Sequence, residues 1–112
     1  MNATQKVWTL FESSSTGVGT PLTVTPDKCG MSIDIQVYGD AGTTFAGKFK
    51  AKVFADGGYE EISLQNKKTM AWSPDFTAYG IYTVNLGAIL QLEVDIASIS
   101  VGELIVKAKI YN

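Results

Sequence analysis

Protein chemistry needs residues that move protons, hold metals or attack electrophiles, and this chain is short of them. It has no histidine and no arginine, and its nine basic residues are all lysine. Without histidine the commonest general base and metal ligand is missing, so the many serines have nothing to activate them. No Ser/Lys pair stands at a motif spacing. No Cys/His set of the kind that holds zinc is present, and no glycine-rich phosphate loop precedes a helix. Glu60 and Glu61 are adjacent carboxylates, but neighbours on a strand point to opposite faces and cannot serve as a matched acid and base. Asp27, Asp40, Asp56 and Asp75 lie in turn sequences, where Asx-type hydrogen bonds account for them, and no spacing resembles a calcium loop. The residue types argue against an enzyme, and no cofactor or metal is expected.

What remains is binding chemistry. Lys48, Lys50 and Lys52 alternate along one strand and form a basic stripe. It reads either as a solvated face that blocks edge-to-edge aggregation or as a patch that docks on an acidic neighbour. Trp72, Phe76, Tyr79 and Tyr82 form an aromatic group. It reads as a core cap, as a protein–protein hot spot or as a platform for sugar rings. Val7 and Trp8 sit in a first segment that is apolar on both faces, which calls for cover on both sides or for a partner chain. Net charge is −2 with no arginine fork, which argues against nucleic acid as a partner. No apolar run approaches the ~20 residues that cross a bilayer, and the start of the chain has no apolar signal region, so neither a membrane nor a secretion route is expected. Cys29 is the single cysteine. It reads as a small half-buried thiol in a chain without an intrachain disulfide, which suits a reducing compartment.

The elements that must position these residues are strands. In Met31-Ser32-Ile33-Asp34-Ile35-Gln36-Val37-Tyr38, apolar and polar residues alternate without a break. That is the signature of a strand with one dry face and one wet face. Burying its four apolar side chains is worth roughly 1.5–3 kcal/mol each, and a slip of one residue would bury Asp34 and Gln36 instead. Similar segments are Lys6-Val7-Trp8-Thr9-Leu10-Phe11, residues 22–25, 44–55, 59–64, 80–86, 90–96 and 104–111. Prolines at both ends of 22–25 suggest an edge. In 44–55 one face carries Phe45, Gly47, Phe49, Ala51, Val53 and Ala55. Asp56-Gly57-Gly58 then marks a hairpin turn. The last two segments read as a hairpin that sets Glu93 or Asp95 opposite Lys107 or Lys109. Residues 65–79 form a long irregular connection. About eight strands, Gly-rich turns and no helical period predict a single all-β domain over 1–112. The expected fold is an antiparallel β-sandwich of jelly-roll type with a flexible arm at residues 1–5.

The chain resembles small β-sandwich modules of tailed bacteriophage virions. The likeness lies in three stretches: the opening Lys6-Val7-Trp8-Thr9-Leu10-Phe11 with its Ser/Thr/Gly loop and Leu22-Thr23-Val24, the hairpin Gly42-Thr43-Thr44-Phe45-Ala46-Gly47-Lys48-Phe49 with Asp56-Gly57-Gly58-Tyr59, and the closing Tyr79-Gly80-Ile81-Tyr82-Thr83-Val84-Asn85-Leu86 with Ser100-Val101-Gly102. The resemblance implies a structural role without catalytic residues. The implied function is a capsid decoration or auxiliary protein on the head shell, made in the host cytoplasm and resident in the virion. Implied partners are the major capsid protein or other virion proteins and further copies of the chain. The alternative is a carbohydrate-binding or host-adhesion module of a tail or fibre, with a glycan as ligand. Candidate interface residues are Val7, Trp8, Trp72, Phe76, Tyr79, Lys48, Lys50 and Lys52.

Overall fold

The computed structural model describes residues 5–25, 28 and 30–111. Asp27, Cys29 and residues 1–4 lie outside the described residues, and with them the expectations for that thiol and most of the arm. The strands are β1 (Gln5–Ser13), β2 (Gly17–Val18), β3 (Leu22–Thr23), β4 (Ser32–Gly39), β5 (Phe45–Lys52), β6 (Glu60–Glu61), β7 (Leu64–Asn66), β8 (Trp72–Ser73), β9 (Asp75–Phe76), β10 (Gly80–Asn85), β11 (Gln91–Ile99) and β12 (Leu104–Tyr111). They form two antiparallel sheets. The first runs β1-β12-β4-β10-β7-β8. The second runs β2-β11-β5-β6, with β3 also on β11 and β9 also on β5. This is an all-β sandwich, as a period of two with one dry face requires.

The predicted organising strand lies inside the first sheet as β4, between β12 and β10. Ile33, Ile35 and Val37 are buried, while Ser32, Asp34 and Gln36 face outward. Opposite them in the second sheet, Leu92, Val94 and Ile96 of β11 and Phe45, Phe49 and Ala51 of β5 complete the core. Gly47 is the flat place in that core. A Cβ there would stand 2.6 Å from Cζ of Phe76 and 2.7 Å from Cδ1 of Ile96, so the missing side chain makes room for the ring.

Three expectations change. The segment 44–55 ends as a strand at Lys52; beyond it Val53 and Phe54 are exposed. The segment 59–64 divides, because the chain crosses between sheets: β6 pairs with β5 and β7 with β10. The last two strands do not form a hairpin. β11 belongs to the second sheet and β12 to the first, so Glu93 and Asp95 stand opposite Lys50 and Lys48, not Lys107 and Lys109. The solvent faces of the two strands therefore lie on opposite sides of the molecule.

The apolar double face of β1 has a local cause. Its register with β12 shifts between Thr9 and Phe11, a β-bulge that places Leu10 and Phe11 both in the core. Trp8 is partly buried against the same core, while Val7 stays half exposed. At one end of the sandwich, side chains lock two loops together. The Thr43 hydroxyl donates to the Val101 carbonyl (2.6 Å), the Thr44 amide donates to Ser100 Oγ (3.0 Å), and the Glu103 amide donates to Asp40 Oδ2 (2.9 Å).

Candidate interaction surface

The two outer faces of the sandwich differ in chemistry. On the second sheet the lysine stripe is met by its own chain. Lys48 Nζ lies 2.6 Å from Glu61 and 2.8 Å from Asp75, and Lys50 Nζ lies 3.2 Å from Asp95. Lys52 Nζ sits 4.9 Å from the centre of the Tyr59 ring. Hydrogen bonds that the Lys48 ammonium donates to Asp75 and then to Glu61 hold it above its ordinary pKa. Glu93, 8% exposed, lies in the same net; burial pushes its carboxyl up, and Lys50 pulls it part of the way back. Burial also raises the Tyr59 hydroxyl, whose proton is donated to Gln91 Oε1 at 3.0 Å. Lys48 and Lys50 of the stripe thus pair with carboxylates of neighbouring strands, and Lys52 lies over a ring, contacts that help fix register.

The first sheet presents a mixed face. Paired residues share a face, so the register can be followed across all its strands. Val7 stands opposite Lys109, Lys109 opposite Asp34, Asp34 opposite Thr83, Thr83 opposite Gln65, and Gln65 opposite Trp72. A second row runs Thr9, Lys107, Gln36, Ile81, and a third Glu12, Ile105, Tyr38. Trp72 is 60% exposed, Val7 49% and Ile81 45%. Between Val7 and Ile81 a shallow groove of about 330 Å³ is lined by Gln36, Tyr38 and Lys107 among others. Thr83 Oγ1 donates to Asp34 Oδ1 at 2.6 Å, and Lys67 Nζ lies 3.7 Å from the same oxygen. The face thus carries exposed apolar groups at Val7, Ile81 and Trp72 with hydrogen-bonding groups among them.

The predicted aromatic group does not stay together. Phe76 and Tyr82 are buried and join Phe45 and Phe49 in the core, with the Phe49 and Phe76 rings 4.4 Å apart. The Tyr82 hydroxyl donates to the Ala78 carbonyl at 2.8 Å, and burial raises its pKa. Tyr79 stacks on Phe45 at 5.5 Å and donates its hydroxyl to the Asp40 carbonyl at 2.7 Å, closing the locked loop end. Trp72 alone stands clear, on the outer face. The division follows from the two sheet changes in this stretch: β8 pairs with β7 in the first sheet, after Pro74 the chain pairs as β9 with β5 in the second, and as β10 it pairs with β4 in the first again. Of the candidate residues, Val7 and Trp72 therefore mark opposite margins of one face, Trp8 and Phe76 turn inward, and Tyr79 holds a corner. Ile81, Tyr38, Gln36 and Lys107 complete that face and were not singled out from sequence. Ile81 offered the one usable signal: an apolar residue out of phase with Tyr82 and Val84 on its strand. Among the described residues no three His, Cys, Asp or Glu side chains gather as metal ligands would.

No protein-family model matches the chain, and no curated protein matches it in sequence. Solved structures do. The SPBc2 prophage-derived protein YomS superposes with a TM-score of 0.84 at 15% identity, over 100% of this chain and 96% of that one. The PBSX exported protein XepA superposes with a TM-score of 0.81 at 17% identity, over 100% of this chain and 39% of that one. The sandwich described above is thus a fold that this chain shares, along its whole length, with proteins derived from prophages.

Proposed function

We propose that the chain is a non-enzymatic structural protein of a tailed bacteriophage or prophage, which acts by binding other proteins of the particle. The observation that carries this is the end-to-end match to the prophage-derived YomS, with nearly all of both chains aligned. The asymmetry of the sandwich supports it: one outer face is closed by its own ion pairs, and the other offers apolar and hydrogen-bonding groups in rows. The finer assignment is decoration of the head shell, with the first sheet laid on the major capsid protein and the protein resident in the virion. The test is co-sedimentation of the purified, tagged protein with separated heads and tails from the host that carries the gene, followed by electron microscopy. Binding to heads in regular array is the expected result. Binding to tails alone would move the role to a tail accessory, and binding to neither would refute the structural role.

A second reading has one specific observation in its favour. Trp72 is exposed and its cross-strand neighbours are Gln65 and then Thr83, the pairing of a ring with hydrogen-bonding groups that a sugar platform needs. A glycan array probed with the wild type and with Trp72→Ala decides it. A hit lost in the variant supports a carbohydrate-binding tail or fibre module, and a blank array removes that reading.

A further inference from the structure

We propose that the outer face of the first sheet docks on an acidic, partly apolar protein surface, with Lys67 and Lys107 as charged contacts on either side of Ile81 and Lys68 as a third at the hairpin tip. The inference rests on the reading of this face as the one that meets other proteins, and it adds the chemistry of what is met. It starts from where the positive charge of the chain is already matched. On the second sheet Lys48 and Lys50 are held by Glu61, Asp75 and Asp95, and Lys52 lies over Tyr59. Lys28 and Lys109 are engaged as well. Lys68 and Lys107 differ: among the described residues neither has a carboxylate within ion-pair distance. Lys67 reaches one only at 3.7 Å, on Asp34, whose same oxygen already accepts from Thr83 at 2.6 Å. The described lysines without a close counter-charge thus gather at one face.

The register gives that face its pattern. The Lys67 amide donates to the Ile81 carbonyl (2.9 Å), Ile81 stands opposite Gln36, and Gln36 opposite Lys107. One row therefore reads cation, apolar, amide, cation. Neighbouring strands lie about 4.8 Å apart, so the two lysine Cα atoms are separated by roughly 14 Å. Ile81 is 45% exposed between them. Lys68 is exposed at the tip of the hairpin from β7 to β8, where the Asn66 side chain fixes the loop by accepting from the Lys68 and Thr69 amides at 2.9 and 3.3 Å. Two carboxylates share the face, Asp34 and Glu12, against Lys67, Lys68, Lys107 and Lys109, on a chain whose net charge is −2. An anionic chain thus carries a local positive excess around an exposed apolar group, and complementary potential selects an acidic partner. A phosphate-rich ligand fits less well. The cations are single lysines set apart by an isoleucine and an amide, and no arginine supplies the planar fork that phosphate recognition favours. Carboxylates placed around an apolar side chain, a polar rim about an apolar centre, fit both the charge and the spacing.

The experiment offers the full chain two probes. The separated heads and tails are probed by co-sedimentation across a salt series, and poly-glutamate by nuclear magnetic resonance of the isotope-labelled protein. Particle binding should weaken about tenfold or more between about 50 mM and 300 mM salt. Lys68→Gln with Lys107→Gln should weaken it about threefold, and Lys68→Glu with Lys107→Glu about tenfold or more, with the melting curve unchanged because neither lysine belongs to the core. Lys52→Gln, on the second sheet, should leave binding as it is. Poly-glutamate should shift the amide signals of Lys67, Ile81 and Lys107 and leave those of Lys48 and Lys50 in place. Particle binding that neither salt nor the lysine variants change overturns the inference and leaves the structural role standing. Absence of particle binding overturns that role, and the poly-glutamate titration then decides the inference by itself: signals that stay in place, or that move equally on both sheets, overturn it. Tighter binding on this face of a DNA oligonucleotide or of phosphatidylglycerol vesicles than of poly-glutamate overturns it in favour of a phosphate ligand.

Discussion

Phe76 and Trp72 are close in sequence and similar in chemistry, yet the fold gives them opposite tasks, and truncating each in turn measures the difference. Phe76 is 3% exposed. Its ring stacks on Phe49 at 4.4 Å, meets Phe45 at 5.7 Å and Tyr82 at 5.9 Å, and lies over Gly47. Phe76→Ala removes the ring from all of these at once. Gly47 has no side chain with which to refill the space, so transfer and cavity costs should both appear, about 3–5 kcal/mol in all. That is about a fifth or more of the total stability of a typical domain, about 5–15 kcal/mol. Trp72 is 60% exposed and makes no ring contact among the described residues, so Trp72→Ala should move stability by no more than about 0.5 kcal/mol. Urea unfolding followed by far-ultraviolet circular dichroism reads both variants without relying on the tryptophan signal. A cost below about 1.5 kcal/mol for Phe76→Ala would refute the placement of that ring in the core, and a cost above about 2 kcal/mol for Trp72→Ala would refute its placement outside.

Gly102 has φ +92°, and a Cβ there would stand 2.6 Å from Thr43 Oγ1, so Gly102→Ala should cost about 1–3 kcal/mol in the same assay by straining the backbone and breaking the Thr43–Val101 bond. Tyr79→Phe removes the donor to the Asp40 carbonyl at the same end and should cost about 0.5–1.5 kcal/mol. Because burial raises the Glu93 carboxyl, its contribution to stability is present below the pKa it has in the unfolded chain and is lost as pH rises through its folded value. Glu93→Gln should therefore be as stable as the wild type or more so at neutral pH, with a flatter stability profile above the acid range; a clear loss at pH 7 would mean that the pairing with Lys50 outweighs burial. Ile81→Asp places a charge in the middle of the mixed face at a site 45% exposed, and should abolish particle binding while leaving the unfolding midpoint within about 0.5 kcal/mol of wild type.

The strands themselves were legible because burial on one face of a sheet writes a period of two into the chain, and β4 carries that period from Ile33 to Val37 without exception. Residue types alone also carried the expectation of binding rather than catalysis. The sequence does not show which strands are neighbours. A period of two sets Glu93 on the opposite face from Leu92, but it is the same whether β11 pairs with β12 or with β5, and only the packed sandwich puts Lys50 across from Glu93 and buries that carboxyl. The same limit explains the aromatic stretch. Spacing groups Trp72, Phe76 and Tyr79, whereas the chain leaves the first sheet between Trp72 and Phe76 and is back in it at Gly80, which sends them to a face, a core and a corner. It also explains β1, where an apolar double face called for cover on both sides or for a partner chain, and the bulge turns Leu10 and Phe11 inward together. Hydrophobic pattern is a property of each segment and survives in the linear chain. Strand order, sheet crossing and bulges depend on contacts between residues far apart in the chain, and those exist only once the two sheets have closed on each other.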